Sequence, residues 1–492
     1  MNHRVASVDQ ARAMDAHTIE TVGVSSLALM EIAGRAVAAE VIRWVRQEGA
    51  NEVLVFAGPG NNGGDGYVVA RHLHLAGVAV QVVAVSGTHS PNCQANREAA
   101  AALGISITES VPGTEGALVV DALLGTGTRD ELRGEILTRV REINALGQPV
   151  LAVDMPTGVC GETGRILGDA VDAVCTVTIG RAKPGAFGAH GGERVGDLVV
   201  ADIGLVDGGG DPVALVVDGA WVGERIPSRD AASHKGSHGH LGVVAGSVEK
   251  AGAAVLVCNA AIRAGCGLVT LLVHPDAASR LSNLRDEIMV QTCERIEPQD
   301  LAAFDAIAAG PGFGVGEEAA RDMMRLWHEV PAPGIFDADA LTALASDPKP
   351  SNHPRCISPH PGEAGRLLGL ETAAVQADRF SAVRALTEWG PALLKGRHTL
   401  VCGESLTINR TGTPALATAG AGDVLTGVVG ALLAQGLSPT NALVCGAFVH
   451  GLAGELAGQP PIVAGDVIAA LPEAFRTVGL RLEMVGFRPL LG

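Results

Sequence analysis

A repeating unit constrains this chain more than any other feature. A short apolar segment of strand character runs into a glycine-rich turn, and the turn leads into residues that are apolar at helical spacing. In the first half Glu52–Ala57 reads as a buried strand, Asn61–Gly66 as a turn and Tyr67–Ala76 as a helix. Val80–Val85, Ala117–Leu124 and Pro149–Val153 repeat the strand pattern, and Val8–Val22 and Leu27–Glu48 read as two helices ahead of it. The second half offers the strands Leu241–Ala245, Leu268–Val273, Ala306–Ala309 and Pro333–Asp337, with helices at Gly252–Ala264 and Val424–Gln435. Strands separated by helices pair in parallel, and the helices then cover the sheet. The run Asp207-Gly208-Gly209-Gly210-Asp211-Pro212 has turn composition and separates the two patterns. The expectation is two three-layer α/β domains, residues 1–212 and 213–492. No short-period repeat is present, which excludes solenoids and propellers.

Composition agrees and narrows the function. A chain of 492 residues exceeds one ordinary core. Its 65 glycines and 3% aromatic residues suit tight strand-to-helix turns and oppose base-stacking platforms. A net charge of −17 opposes general affinity for nucleic acid or anionic membranes. The nine cysteines include no C-x-x-C pair and read as buried thiols of a reducing compartment, hence a cytoplasmic protein. The N-terminus lacks the basic run and apolar core of a signal peptide. The most apolar long stretch, Ala415–Gln435, contains Asp423 and several glycines, so no membrane span is expected.

The first candidate site begins at Gly58-Pro59-Gly60-Asn61-Asn62-Gly63-Gly64-Asp65-Gly66. Glycines after a strand let backbone approach a ligand, and a helix start offers N–H groups to phosphate. The run does not meet G-x-G-x-x-G, and a purely structural turn would not need two Asn and an Asp. Asp121 and Asp154 each end a strand, and Thr157 follows the second. Carboxyl ends of parallel strands share one edge, so Asn62, Asp121, Asp154 and Thr157 can converge there. All are hard oxygen donors suited to an alkali or alkaline-earth cation.

Five segments in order, Leu29–Gly34, Gly60–Gly66, Asp121–Gly127, Ala152–Gly158 and Lys183–Gly185, resemble the NAD(P)H-hydrate epimerase family over nearly the whole first half. The resemblance implies a Rossmann-like fold and a potassium ion surrounded by Asn62, Asp121 and Thr157. Thr157 stands where Ser is expected and keeps the hydroxyl. The resemblance also implies a substrate lined by Asn61, Asn62, Gly63, Gly64 and Asp65, and by Gly125, Thr126, Gly127, Thr128, Arg129, Asp130 and Glu131. The last three are more charged than the family pattern. Asp154 would contact the nicotinamide-hydrate end. The hydrate carries a hydroxyl on C6 beside the ring nitrogen, and inverting that carbon needs proton transfer rather than a redox step. A strand-end carboxylate can serve as acid and base; Asp154 is the first candidate and Asp121 the second. Lys183 either anchors a phosphate or is a solvated surface lysine.

The second candidate site is the run Leu416–Gly427, in which Thr418-Ala419-Gly420-Ala421-Gly422-Asp423 leads into an apolar helix. Backbone N–H groups of Gly420, Ala421 and Gly422 would form an anion hole at that helix start, with Asp423 placed to deprotonate a hydroxyl. The run resembles the ribokinase-like superfamily. Arg229–Gly236, Gly246-Ser247, Gly252–Ala254, Gly310–Gly312, Ser358–Glu363 and Lys395–Thr399 resemble its ADP-dependent NAD(P)H-hydrate dehydratase subfamily. This implies ADP held by Lys395, Gly396, Arg397, His398, Thr399 and Gly422, and hydrate held by Ala253 or Ala254, Gly312, His360 and Asp423. It implies magnesium on the phosphates. Glu363 either helps order that magnesium or caps the helix Ala364–Leu370. His234 and Lys235 either touch phosphate or are solvated.

Together the two halves read as one repair enzyme for NADHX and NADPHX, the hydrates of NADH and NADPH. It acts on small molecules, without nucleic acid or membrane partners, as an oligomer of identical chains. Two other readings stand beside it. One is a small-molecule kinase with an accessory domain, which Ser233–Gly236 and Pro359–Glu363 argue against. The other is a sensor or binding module in the first half, which would not require the set Asn62, Asp121, Asp154 and Thr157.

Overall fold

The computed structural model describes residues 4–112, 116–207, 209–478 and 487–490. The chain forms two compact units that divide between Leu215 and Val216.

The sheet of the first unit is built from Glu52–Ala57, Val80–Ala84, Ser106–Thr108, Ala117–Ala122, Val150–Val153, Cys175–Ile179 and Asp197–Ala201. Numbered in that order the strands lie 3-2-1-4-5-6-7, and every pairing is parallel. Strand order reverses between Glu52–Ala57 and Ala117–Ala122, and a crevice opens at such a switch point. Alternation along the strands fills both faces. Val53, Val55 and Ala57 pack with Leu29, Val37 and Leu73 on one side, while Leu54 and Phe56 pack with Val140 and Ile143 on the other. These are the three layers of a Rossmann-like domain.

The run Asn61–Gly66 is not a turn. It forms the first turns of the helix Asn61–Leu75, which starts at Gly60 with no capping side chain. Glycine is required here by close approach: a Cβ on Gly63 would stand 1.8 Å from the Gly58 carbonyl oxygen, and one on Gly58 would stand 1.9 Å from that of Leu123. The helix therefore seats directly on the strand ends.

In the second unit the sheet runs, in spatial order, Leu406–Asn409, Thr399–Cys402, Ala392–Leu394, Arg355–Ile357, Gly334–Phe336, Ala306–Ala309, His240–Val244, Leu268–Val273 and Met289–Thr292. Pairing is parallel from Ala392–Leu394 to Met289–Thr292, and the two remaining strands extend the sheet antiparallel. The helices Ala251–Arg263, Ala421–Ala434, Pro439–Ala457 and Ala464–Thr477 share one core with strand residues such as Leu241 and Ala308. The apolar stretch around Asp423 is thus a core helix. Among the described residues no helix is long and apolar enough to cross a membrane.

The expected second domain, 213–492, needs correction at its end. The strand Phe487–Leu490 belongs to the first unit and pairs in parallel with Asp197–Ala201. Without it, Asp197–Ala201 would leave a row of backbone groups unpaired at the sheet edge. Gly208 of the expected linker lies outside the described residues. The Gly63→Ala variant should lose about 1–3 kcal/mol of stability by overpacking, read as a lower thermal midpoint. Gly60→Ala, whose Cβ would meet nothing within 4 Å, should melt like the parent.

Candidate active sites

A cavity of about 540 Å³ opens over the switch point of the first unit. Asn61, Asn62, Asp65, Asp154, Gly125 and Thr126 line it, as do Gly127 and Thr128. Gly63 and Gly64 do not; they are buried against Gly58 and Met30. Arg129, Asp130 and Glu131 are exposed and outside the cavity wall, and Arg129 pairs with Asp9 at 2.7 Å. The sequence expectation for these five residues is therefore not matched by direct contact with the cavity. The cause is local: the glycines pack inward as helix, and the charged loop turns to solvent.

Asp121 lies beneath the cavity and is wholly buried. Its carboxylate accepts hydrogen bonds from the Thr157 amide at 2.7 Å, the Thr157 hydroxyl at 2.8 Å and the Leu123 amide at 3.2 Å. Burial pushes its pKa up to about 6, against the pull of these donors. It is absent from the cavity wall, whereas Asp154 lines it. Asn62 keeps a buried side-chain nitrogen with no hydrogen-bond partner. Its oxygen and an Asp154 oxygen both face Gly125, within 3.3 and 3.1 Å of where a Cβ would stand.

Asp154 adopts φ = 68°, a backbone conformation unusual for a residue other than glycine. The turn it makes after Val150–Val153 aims its carboxylate at Lys183, whose Nζ lies 2.5 Å from Asp154 Oδ1. Lys183 is 3% exposed and also donates to the Ile179 carbonyl at 2.9 Å and the Thr178 hydroxyl at 3.2 Å. Of the two alternatives for Lys183 the solvated surface lysine is not what the structure shows: the side chain is buried at the cavity wall. Burial alone would raise the Asp154 carboxyl, but the Lys183 ammonium and the amides of Ile179 and Thr126 hold it below the ordinary carboxylate range.

In the second unit Asp337, Lys395 and Asp423 meet where strand ends face the start of the helix Ala421–Ala434. Gly420, at φ = 85°, turns the chain into that helix, and no side chain caps its N–H groups. Lys395 follows the strand Ala392–Leu394, and its Nζ lies 3.4 Å from where a Gly422 Cβ would stand. The same ammonium contacts both oxygens of the buried Asp337 at 2.7 Å, and the Thr426 hydroxyl donates to Asp337 at 2.7 Å. Burial and the negative charges of Asp337, Asp339 and Glu363 push the Asp423 pKa up to about 7, although Lys395 opposes them.

The loop Lys395–Thr399 is held from behind. Arg379 is 2% exposed and donates to the carbonyls of Arg397, Leu394 and Lys395 at 2.5, 3.2 and 3.3 Å. Gly396 and His398 take positive φ, and the Thr399 hydroxyl closes the turn on the Gly396 carbonyl. Gly312 faces Ala253, whereas Ala254 is buried under Gly246, so Ala253 is the one of the pair beside Gly312. His360 and Glu363 form a reciprocal helix cap. His360 Nδ1 accepts from the Gly362 and Glu363 amides, and a Glu363 oxygen accepts from the His360 amide at 2.8 Å. Of the two alternatives for Glu363 the structure shows the capping one. The side chains of His234 and Lys235 are exposed.

Sequence reasoning missed Asp337, Arg379, Thr426 and the burial of Lys183. Asp337 carried a usable signal, because it ends a strand just as Asp121 and Asp154 do. Arg379 carried none, since nothing in its neighbourhood marks a buried guanidinium. Replacing Lys183 by Met should leave the Asp154 charge buried and unpaired and cost about 3–5 kcal/mol. That loss should grow with rising pH, because only the ionised carboxyl lacks its partner, and Asp154→Asn in the same chain should recover much of it; urea unfolding at several pH values measures both.

Comparison with known proteins covers both units. Residues 26–185 match the family described as YjeF-related protein N-terminus, and residues 241–473 match the family described as NAD(P)H-hydrate dehydratase. The bifunctional NAD(P)H-hydrate repair enzyme Nnr of Moorella thermoacetica is 35% identical, over 94% of this chain and 94% of its own. Its counterpart in Escherichia coli K12 is also 35% identical, over 95% of this chain and 93% of its own. A Bacillus subtilis structure described as ADP/ATP-dependent NAD(P)H-hydrate dehydratase, crystallised with ATP and Mg2+, aligns over 54% of this chain and 98% of its own, with 26% identity and a TM-score of 0.49. The two named relatives span both sites along almost their full length, and the chain belongs to the family of bifunctional NAD(P)H-hydrate repair enzymes.

Proposed function

We propose that the first unit interconverts the R and S forms of hydrated NADH and NADPH. The second unit then dehydrates the S form with ADP, giving NADH or NADPH, AMP and phosphate. The observation that carries this reading is the provision of a reactive carboxylate in each unit, Asp154 beside its lysine and Asp423 at an uncapped helix start.

In the first unit Asp154 takes up the proton that inversion at C6 releases, and Lys183 keeps the carboxylate ionised and aimed. Asn61, Asn62 and the Gly125–Thr128 turn hold the hydrate in the cavity. Asn62, Asp121 and Thr157 would hold potassium. The residues fit a monovalent cation: Asp121 is a wholly buried carboxylate whose hydrogen-bond partners are all neutral, and Asn62 and Thr157 add neutral oxygen donors. Such an ion supplies positive charge where the substrate's polar groups sit.

In the second unit the N–H groups of Gly420, Ala421 and Gly422 receive the β-phosphate of ADP, and Lys395 adds a positive charge beside Gly422. The loop Lys395–Thr399 carries the rest of the nucleotide. Ala253, Gly312 and His360 border the hydrate. Asp423 removes the proton of the C6 hydroxyl, whose oxygen attacks the β-phosphorus as the bond to AMP breaks. Loss of phosphate from C6 and of a proton from C5 then restores the dihydronicotinamide. Among the described residues no group of three or more His, Cys, Asp or Glu could hold a metal ion. Magnesium would arrive on the nucleotide phosphates, consistent with its preference for phosphate and water.

A base with a pKa near neutrality sets the pH dependence. The rate of dehydration should fall as pH drops below about 7, because Asp423 must be ionised. Asp339→Asn, which removes one of the charges raising that pKa, should move this acid limb to lower pH. Asp423→Asn should lower the rate by about 10²–10⁴-fold while ADP still binds, measured by calorimetry. The complete reading is tested with racemic NADH hydrate and ADP, following the dihydronicotinamide absorbance near about 340 nm. Full conversion is expected. Arrest near one half would deny the epimerase, and no recovery with ADP or ATP would deny both activities.

A further inference from the structure

Inversion at C6 by departure and re-addition of oxygen calls for one group that protonates the leaving oxygen and one that takes a proton from the incoming oxygen. We propose that Asp65 is the second catalytic residue of the first cavity: it protonates the departing C6 hydroxyl, while Asp154 deprotonates the water that adds to the opposite face. This rests on the epimerase reading of the first unit and deepens it.

Asp65 sits in the second turn of the helix Asn61–Leu75 and lines the same cavity as Asp154. It is 7% exposed, and no described residue hydrogen-bonds to or ion-pairs with its carboxyl. The carboxyl opens on the cavity and is free to meet a ligand there. Its surroundings decide its protonation. Asp15 of the helix Val8–Ala16 and Asp154 face it with negative charge, and Cys93 of the helix Pro91–Ala102 adjoins it. Arg12 borders the cavity, and Lys183 is committed to Asp154. Burial, followed by the charges of Asp154 and Asp15, drives the Asp65 carboxyl well above the ordinary range. One cavity thus holds two carboxyls pushed in opposite directions, Asp154 toward its ionised form by Lys183 and Asp65 toward its protonated form by burial, the arrangement that separates acid from base.

The step balances with water as the co-reactant. The C6–O bond breaks as the ring-nitrogen lone pair forms a C=N bond, and the Asp65 proton leaves with the hydroxyl as water. A second water then forms the new C6–O bond from the other face. Its proton passes to Asp154, and the electron pair of the C=N bond returns to nitrogen. In the reverse direction protonated Asp154 is the acid and ionised Asp65 the base. The product oxygen therefore comes from solvent in both directions.

The test uses the full chain with no nucleotide, so that the second unit is idle, and follows the R-to-S ratio of purified hydrate by chromatography. In ¹⁸O-water each inversion should place one solvent oxygen at C6. The rate should also lose activity at high pH, where Asp65 ionises. Asp65→Asn, of equal shape and uncharged, should melt like the parent and invert about 10²–10⁴-fold more slowly. Its alkaline limb should disappear while its KM stays within a few-fold. Retention of the parental rate and limb in Asp65→Asn overturns the proposal, and so does inversion by the parent without oxygen exchange. The oxygen and pH measurements on the parent decide the matter even if the variant does not fold. A parent that leaves the epimers unmixed above the uncatalysed rate denies the epimerase reading itself.

Discussion

Backbone meeting backbone, with no side chain between, is the constraint on which both sites depend. In the first unit the helix that carries Asn61, Asn62 and Asp65 reaches the strand edge because Gly58 and Gly63 leave room that a methyl group would fill. In the second unit Gly427 lets the helix behind Asp423 approach Val257 of the neighbouring helix, and Gly310 lets a strand end close on the Asp337 carbonyl. Interiors packed this densely turn a one-carbon addition into a displacement of whole elements.

On that scaffold the two sites use the same ingredients, a lysine and several carboxyls, in opposite allotments. Lys183 makes its ion pair with Asp154 and favours its ionised form, while Asp65 has no ion-pair partner among the described residues. Lys395 places both short contacts on Asp337, and Asp423 is left near neutrality. In each site the ammonium lies at hydrogen-bond distance from one carboxyl and not from the other. A buried carboxyl with a lysine at hydrogen-bond distance and one without it differ by more than any ordinary difference in side-chain type.

Several polar residues hold these sites in shape through their other contacts. Arg379 fixes the carbonyls of the Lys395–Thr399 loop, and Thr157 fixes the Asp121 carboxylate through both its amide and its hydroxyl. His360 and Glu363 cap one another, which sets the direction in which the helix Pro361–Leu368 leaves the strand end. The reactive groups are thereby held by atoms that have other partners and little freedom to drift.

The sequence by itself determined the two α/β patterns, the strand boundaries of Glu52–Ala57, Leu268–Val273 and Ala306–Ala309, and the ordered motifs of both sites. These are local properties: alternating or continuous apolar runs, glycine where backbone must pass, and Asp at a strand's carboxyl end. Tertiary structure alone decided the rest. It made Asn61–Gly66 a helix, sent Gly63 and Gly64 inward and Arg129–Glu131 outward, and gave Phe487–Leu490 to the first sheet. It also buried Lys183 on Asp154, placed Asp65 but not Asp121 in the cavity wall, and placed Arg379 behind its loop. Each of these outcomes depends on which distant groups share a low-dielectric space. Charge and hydrogen bonding act across distances in that space, which the order of residues along the chain does not record.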